Sequence, residues 1–119
     1  MTRDLCDRTK TFALRIIRLS SALPRRREAT VMARQVLRAG TSVGSHCREA
    51  YRARSNAELV SKLETALQEL DETSYWLELI SESNVMPTQR LAPLIQEADE
   101  LTRILVASVK TIKANSQTS

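Results

Sequence analysis

Residues 55–84, SNAELVSKLETALQELDETSYWLELISESN, place apolar or small side chains at Leu59, Leu63, Ala66, Leu70, Thr73, Leu77 and Ile80. The intervals alternate between four and three, the seam of a helix packed lengthwise against other helices. Ser55-Asn56-Ala57-Glu58 ahead of it has the capping-box pattern, in which a serine hydroxyl and a glutamate carboxylate each satisfy an orphan backbone N–H. Asn84 is placed to end the helix in a left-handed cap, and Met86-Pro87-Thr88 then reads as a short connection.

The same rule extends outward in both directions. Upstream, Leu5, Thr9, Phe12, Ile16, Leu19 and Leu23 form one seam, ended by Pro24. Met32, Val36, Ala39, Val43, His46 and Ala50 form another, on a helix predicted from about Arg26 to Ala53. Gly40 and Gly44 lie inside that helix at a cost of roughly 1 kcal/mol each relative to alanine, which the close approach of a neighbouring helix would offset. Downstream, Leu91, Leu94, Ala98, Leu101, Leu105, Ser108 and Ile112 repeat the pattern, with Pro93 expected in the first turn or at a bend. Helices of this length joined by short connections must run antiparallel to their sequence neighbours. The expected fold is therefore all-α, an up-and-down four-helix bundle over residues 1–114 followed by a polar tail, 115–119.

Composition agrees. With 119 residues, two glycines, three prolines and 42% hydrophobic residues, the chain is one domain built of long elements. Cys6 and Cys47 stand far apart without metal-knuckle spacing, which fits a reducing compartment. No stretch of eighteen apolar residues occurs, and Met1-Thr2-Arg3-Asp4 is not followed by a signal-like apolar run. A cytoplasmic protein without membrane contact is expected.

Catalytic chemistry finds no foothold. A di-iron bundle needs paired Glu-x-x-His motifs, whereas this chain has one histidine, in the order His46-x-x-Glu49. His46 and Cys47 are neighbours about 100° apart around a helix and do not face one another as a nucleophile pair would. The expectation is no enzyme, no metal, no cofactor and no small-molecule substrate.

Charge is more informative than motif. Residues 1–54 hold 13 Lys and Arg against 4 Asp and Glu, whereas residues 55–119 hold 5 against 10. Such segregation suits either a polyanionic partner for the first half or pairing between the halves, within one chain or between chains. On a helical wheel Arg27, Arg34, Arg38, Arg48 and Arg52 fall within an arc of about 80°, nearly opposite the seam. The stripe either follows a nucleic-acid phosphate backbone or simply keeps an outer face solvated. The aromatics are only Phe12, Tyr51, Tyr75 and Trp76, too few for a base-stacking platform. Trp76, near Glu69, Glu72 and Glu78, either anchors a subunit contact or covers the edge of its own core. If the acidic third helix meets the arginine-rich second helix of a neighbour, the contact is heterologous and such contacts close rings.

The stretch Gln35-Val36-Leu37-Arg38-Ala39-Gly40-Thr41-Ser42-Val43-Gly44, then Glu49-Ala50 and Ser55, resembles the 23S rRNA-intervening-sequence protein family. So does the later run Lys62-Leu63, Ala66-Leu67, Glu69, Glu72-Thr73 and Tyr75-Trp76-Leu77. The resemblance implies a small bacterial four-helix bundle, commonly a homopentameric ring, sometimes encoded within insertions in rRNA genes and with no established enzymatic activity. It further implies kinship with bundles that accompany diversity-generating retroelements and engage RNA. The chain departs from the family pattern at His46 and Arg48, where an asparagine and an acidic residue are usual. The expected function is thus RNA or ribonucleoprotein binding by an oligomeric bundle through its arginine face, with a purely structural or partner-binding ring as the alternative.

Overall fold

In a computed structural model, which describes residues 3–118 and their side chains as far as Ser116, four helices account for most of the chain. They are α1 (Arg3–Ala22), α2 (Arg27–Tyr51), α3 (Asn56–Glu82) and α4 (Thr88–Thr118). Each packs against the next, and α4 returns to α1 through the slightest of the four contacts. The result is an up-and-down four-helix bundle measuring 53 × 20 × 19 Å.

The connections follow from local chemistry. Pro24 stops α1, and its carbonyl accepts from Arg26 N at 3.0 Å as the chain turns. Ser55 caps α3 by accepting from Glu58 N at 3.1 Å. The reciprocal half of the capping box is displaced by one residue, because the Glu58 carboxylate meets Arg54 N at 3.5 Å. Asn84 takes φ 59°, the left-handed conformation expected of it. Pro93 falls in the second turn of α4, one turn later than anticipated, and the helix continues through it. Helix α4 also runs past Asn115 to Thr118, so the polar segment is helical as far as it is described.

The core lies along the seams, with Phe12, Ile16, Val36, Leu63, Leu70, Leu77, Leu101 and Leu105 fully buried. Two positions correct the seams read from sequence. In α2 the buried residue is Cys47, while His46 sits at the α2–α3 flank. In α4 it is Val109 instead of Ser108. An ideal helix has 3.6 residues per turn, so an assumed alternation of four and three drifts off the true stripe and a four-residue step is taken where the apolar side chain allows it. The buried hydroxyls of Thr9 and Thr73 are satisfied within their own helices, donating to Leu5 O at 2.9 Å and to Glu69 O at 2.7 Å.

Both glycines of α2 face α1. A Cβ at Gly40 would lie 2.8 Å from Cγ1 and 2.9 Å from Cγ2 of Ile16, whereas one at Gly44 would come no closer than 3.4 Å to the Thr9 carbonyl oxygen. The close helix approach anticipated for the pair is therefore present, and it is tighter at Gly40.

Candidate nucleic-acid interface

Helix α2 positions the arginine stripe because its buried residues, from Ala29 through Val36 and Val43 to Ala50, fix which side turns outward. Arg27 is its first residue and Arg52 its C-cap, so the stripe spans about 37 Å at 1.5 Å per residue. Arg27, Arg34, Arg38, Arg48 and Arg52 are all solvent-exposed. Among the described residues, Arg27, Arg34, Arg48 and Arg52 have no carboxylate partner.

Arg38 differs from the other four. Its guanidinium lies 3.4 Å from Glu69 Oε2 and also donates to Glu72 on α3. The same Glu72 carboxylate accepts from Trp76 Nε1 at 3.3 Å, and Trp76 meets Tyr75 edge-on with centroids 5.6 Å apart. Glu69, Glu72 and Trp76, read from sequence as a surface for a neighbouring subunit, are thus tied to an arginine of their own chain, while Glu78 stays exposed beyond them. The reason is adjacency: α2 and α3 pack side by side, and Arg38 lies on the flank of α2 that looks toward α3. The same flank holds His46, whose Nδ1 lies 3.0 Å from Glu49 Oε1, and Glu49 also accepts from Lys62 Nζ at 2.9 Å. The Lys62 ammonium, then the imidazole, hold the Glu49 carboxyl below its ordinary range.

Part of the charge division is therefore resolved inside the chain. Arg8 of α1 forks onto Glu97 of α4, with Nε to Oε2 at 2.8 Å and Nη2 to Oε1 at 2.7 Å, and reaches Glu100 at 2.7 Å. The hydrogen bonds from Arg8 hold the Glu97 carboxyl below its ordinary range against the opposing effect of burial. On the opposite side of α1, Lys10 and Arg48 flank a cleft of about 260 Å³ over Gly44 and Cys6. Burial raises both thiols, that of Cys47 to about 11, and Arg48 opposes the rise at Cys6. Neither thiol is an activated nucleophile.

One cluster was missed by sequence reasoning. Arg15 and Arg18 of α1 share a cleft with Arg90 of α4. The spacing of Arg15 and Arg18 was visible, but their meeting with Arg90, more than seventy positions away, depends on α4 lying beside α1.

With the bundle and its basic face in place, comparison with known proteins is decisive. Residues 2–107 match the family model described as 23S rRNA-intervening sequence protein. The chain belongs to that family. The family resemblance carried by residues 35–77 is confirmed, and nothing in the match indicates an enzymatic family. Among solved structures, the chain is similar to a protein of unknown function from the S23 ribosomal protein family of Bacteroides thetaiotaomicron. That likeness has a TM-score of 0.84 and 35% identity and covers 89% of this chain and 98% of the other. Comparison with curated proteins returns no match. No helix among the described residues of this family member is long and apolar enough to cross a membrane.

Proposed function

We propose that this protein is a non-enzymatic bundle that assembles with copies of itself and binds RNA, or a ribonucleoprotein, through the phosphate backbone. The observation that carries the reading is the set Arg27, Arg34, Arg48 and Arg52, exposed along one helix and not neutralised by carboxylates of the described chain. Guanidinium groups so spaced exchange condensed counterions for phosphates without demanding a base sequence. The family description, which names 23S rRNA, and the neighbour's description, which names a ribosomal protein family, support the choice of RNA.

A salt titration of RNA binding tests this. Four phosphate contacts give a slope of log K against log salt of about −3 for single strands. Arg34→Glu with Arg48→Glu is expected to weaken binding and flatten the slope by about 1.4. Absence of binding at low salt, or an affinity indifferent to salt and to both substitutions, rejects the proposal.

A second reading has its own support, a groove of about 720 Å³ between α3 and α4 whose rim carries Asp71, Glu78 and Asp99 around Ile95. It lies across the bundle from the basic α1–α2 side, where Leu14, Ile17 and Leu37 are exposed. Two complementary surfaces on opposite sides suit a head-to-tail ring in which the arginines serve assembly.

A further inference from the structure

We propose that the cleft between α1 and α4, lined by Arg15, Arg18 and Arg90, binds a phosphate monoester. The cleft holds about 220 Å³ and opens to solvent, with Leu19, Met86 and Leu94 completing its lining. Three cations and three apolar side chains make up that lining, and no acidic residue takes part. None of the three guanidiniums has a carboxylate oxygen within 4.0 Å among the described residues.

The contrast along the same pair of helices gives the vacancy of charge its meaning. Two turns earlier on α1, Arg8 faces α4 as well, and there α4 supplies Glu97 and Glu100 to neutralise it. At the level of Arg15 and Arg18, α4 supplies another arginine. Glu97 does feel the charge of Arg15, but its oxygens are engaged by the fork from Arg8. Gathering three like charges in one cleft without a carboxylate is unfavourable, because they repel one another. An anion seated among them reverses the sign of that energy.

The chemistry of the donors selects the anion. Guanidinium presents planar paired N–H groups that match two oxygens of one phosphorus, and such bonds are charge-assisted. Three arginines can serve three terminal oxygens, the number on a phosphate monoester; an internal phosphodiester offers only two unbridged oxygens and half the charge. The cleft is open to solvent, so a phosphate group can sit among the three arginines while the rest of its ester stays outside. The monoester is either the phosphorylated end of a nucleic acid or a small phosphorylated metabolite, since both present the same group. The site does not depend on the α2 stripe.

The test uses the full chain at constant ionic strength, titrated with inorganic phosphate while the arginine side-chain N–H signals are followed by nuclear magnetic resonance. Saturable shifts at Arg15, Arg18 and Arg90 are expected. Arg18 and Arg90 are exposed, so Arg18→Gln with Arg90→Gln leaves the core untouched. That pair is expected to weaken phosphate binding by about tenfold or more, the loss from removing charge-assisted hydrogen bonds. Arg34→Glu with Arg48→Glu is expected to leave it unchanged, which separates this site from the RNA face. Two further arms identify the source. Tighter binding of a 5′-phosphorylated RNA than of its 5′-hydroxyl counterpart assigns a nucleic-acid end, and equal competition by a nucleoside 5′-monophosphate assigns a free metabolite. Shifts that rise linearly without saturating, or that persist in the Arg18 and Arg90 variant, overturn the proposal.

Discussion

Gly40 and Gly44 are the same residue type, four positions apart on one helix, yet they face α1 under different constraints. Ile16 is β-branched and fully buried, so its Cγ atoms have little freedom to retreat from a Cβ placed 2.8 Å away. Gly40→Ala is expected to destabilise the bundle by about 1–2 kcal/mol, overpacking outweighing the gain of roughly 1 kcal/mol in helix propensity. At Gly44 a Cβ meets its nearest neighbour at 3.4 Å, an ordinary contact. Gly44→Ala is therefore expected to be neutral or to stabilise by up to about 1 kcal/mol. Thermal melts of the two variants check the pair, and equal effects of one sign would refute the assignment. The neighbours His46 and Cys47 teach a related lesson: one position of helical phase decides which is buried, and burial leaves Cys47 as an inert thiol while His46 joins Glu49 and Lys62.

Among adjacent helices, α1 and α4 have the least packing in common, which makes their polar connection count for more. The Arg8 fork lies at that junction, with side chains 39% and 16% exposed at Arg8 and Glu97. Because the folded-state carboxyl of Glu97 titrates below its usual value, the ionised form binds the native state better. The stabilisation is present above pH 4.5, the ordinary value, and is lost as pH falls through the lower native one. Glu97→Gln is expected to reduce stability by on the order of 1 kcal/mol at neutral pH, discounted for partial solvent screening. The difference from the parent protein should be smaller in acid, once pH has fallen through the lowered native value, than at neutral pH. Urea unfolding at both pH values measures it; a constant difference across the range would show that the fork contributes no charge-dependent stability.

At the scale of the whole molecule, the surplus of cations in residues 1–54 is only partly met by Glu69, Glu72, Glu97 and Glu100 of the second half. Much of what is left over lies on α2 and at Arg15 and Arg18, which meet Arg90 of the second half in one cleft, while Glu78 and Asp99 rim a groove between α3 and α4. If a ring forms by pairing such unlike surfaces, it should be sensitive to screening, since the Debye length falls from about 10 Å at 0.1 M salt to 3 Å at 1 M. Light scattering at low salt is expected to show an assembly that Glu78→Lys with Asp99→Lys disrupts and that high salt loosens. A monomer at micromolar concentration would defeat the ring, and an assembly untouched by salt and by both substitutions would place the interface elsewhere.

Helix number, antiparallel order, the Ser55 and Asn84 caps and the outward-facing arginines were all legible in the sequence, because each follows from periodicity or from chemistry within a few positions. What sequence left open was decided by lateral packing. Which flank of α2 adjoins α3 determines that Arg38 is neutralised while Arg34 is not, and which flank of α1 adjoins α4 brings Arg15 and Arg18 to Arg90. Such pairings join residues far apart in the chain, and a repeating apolar pattern carries no information about them. It fixes which face turns inward, and only the assembled bundle fixes what stands beside it.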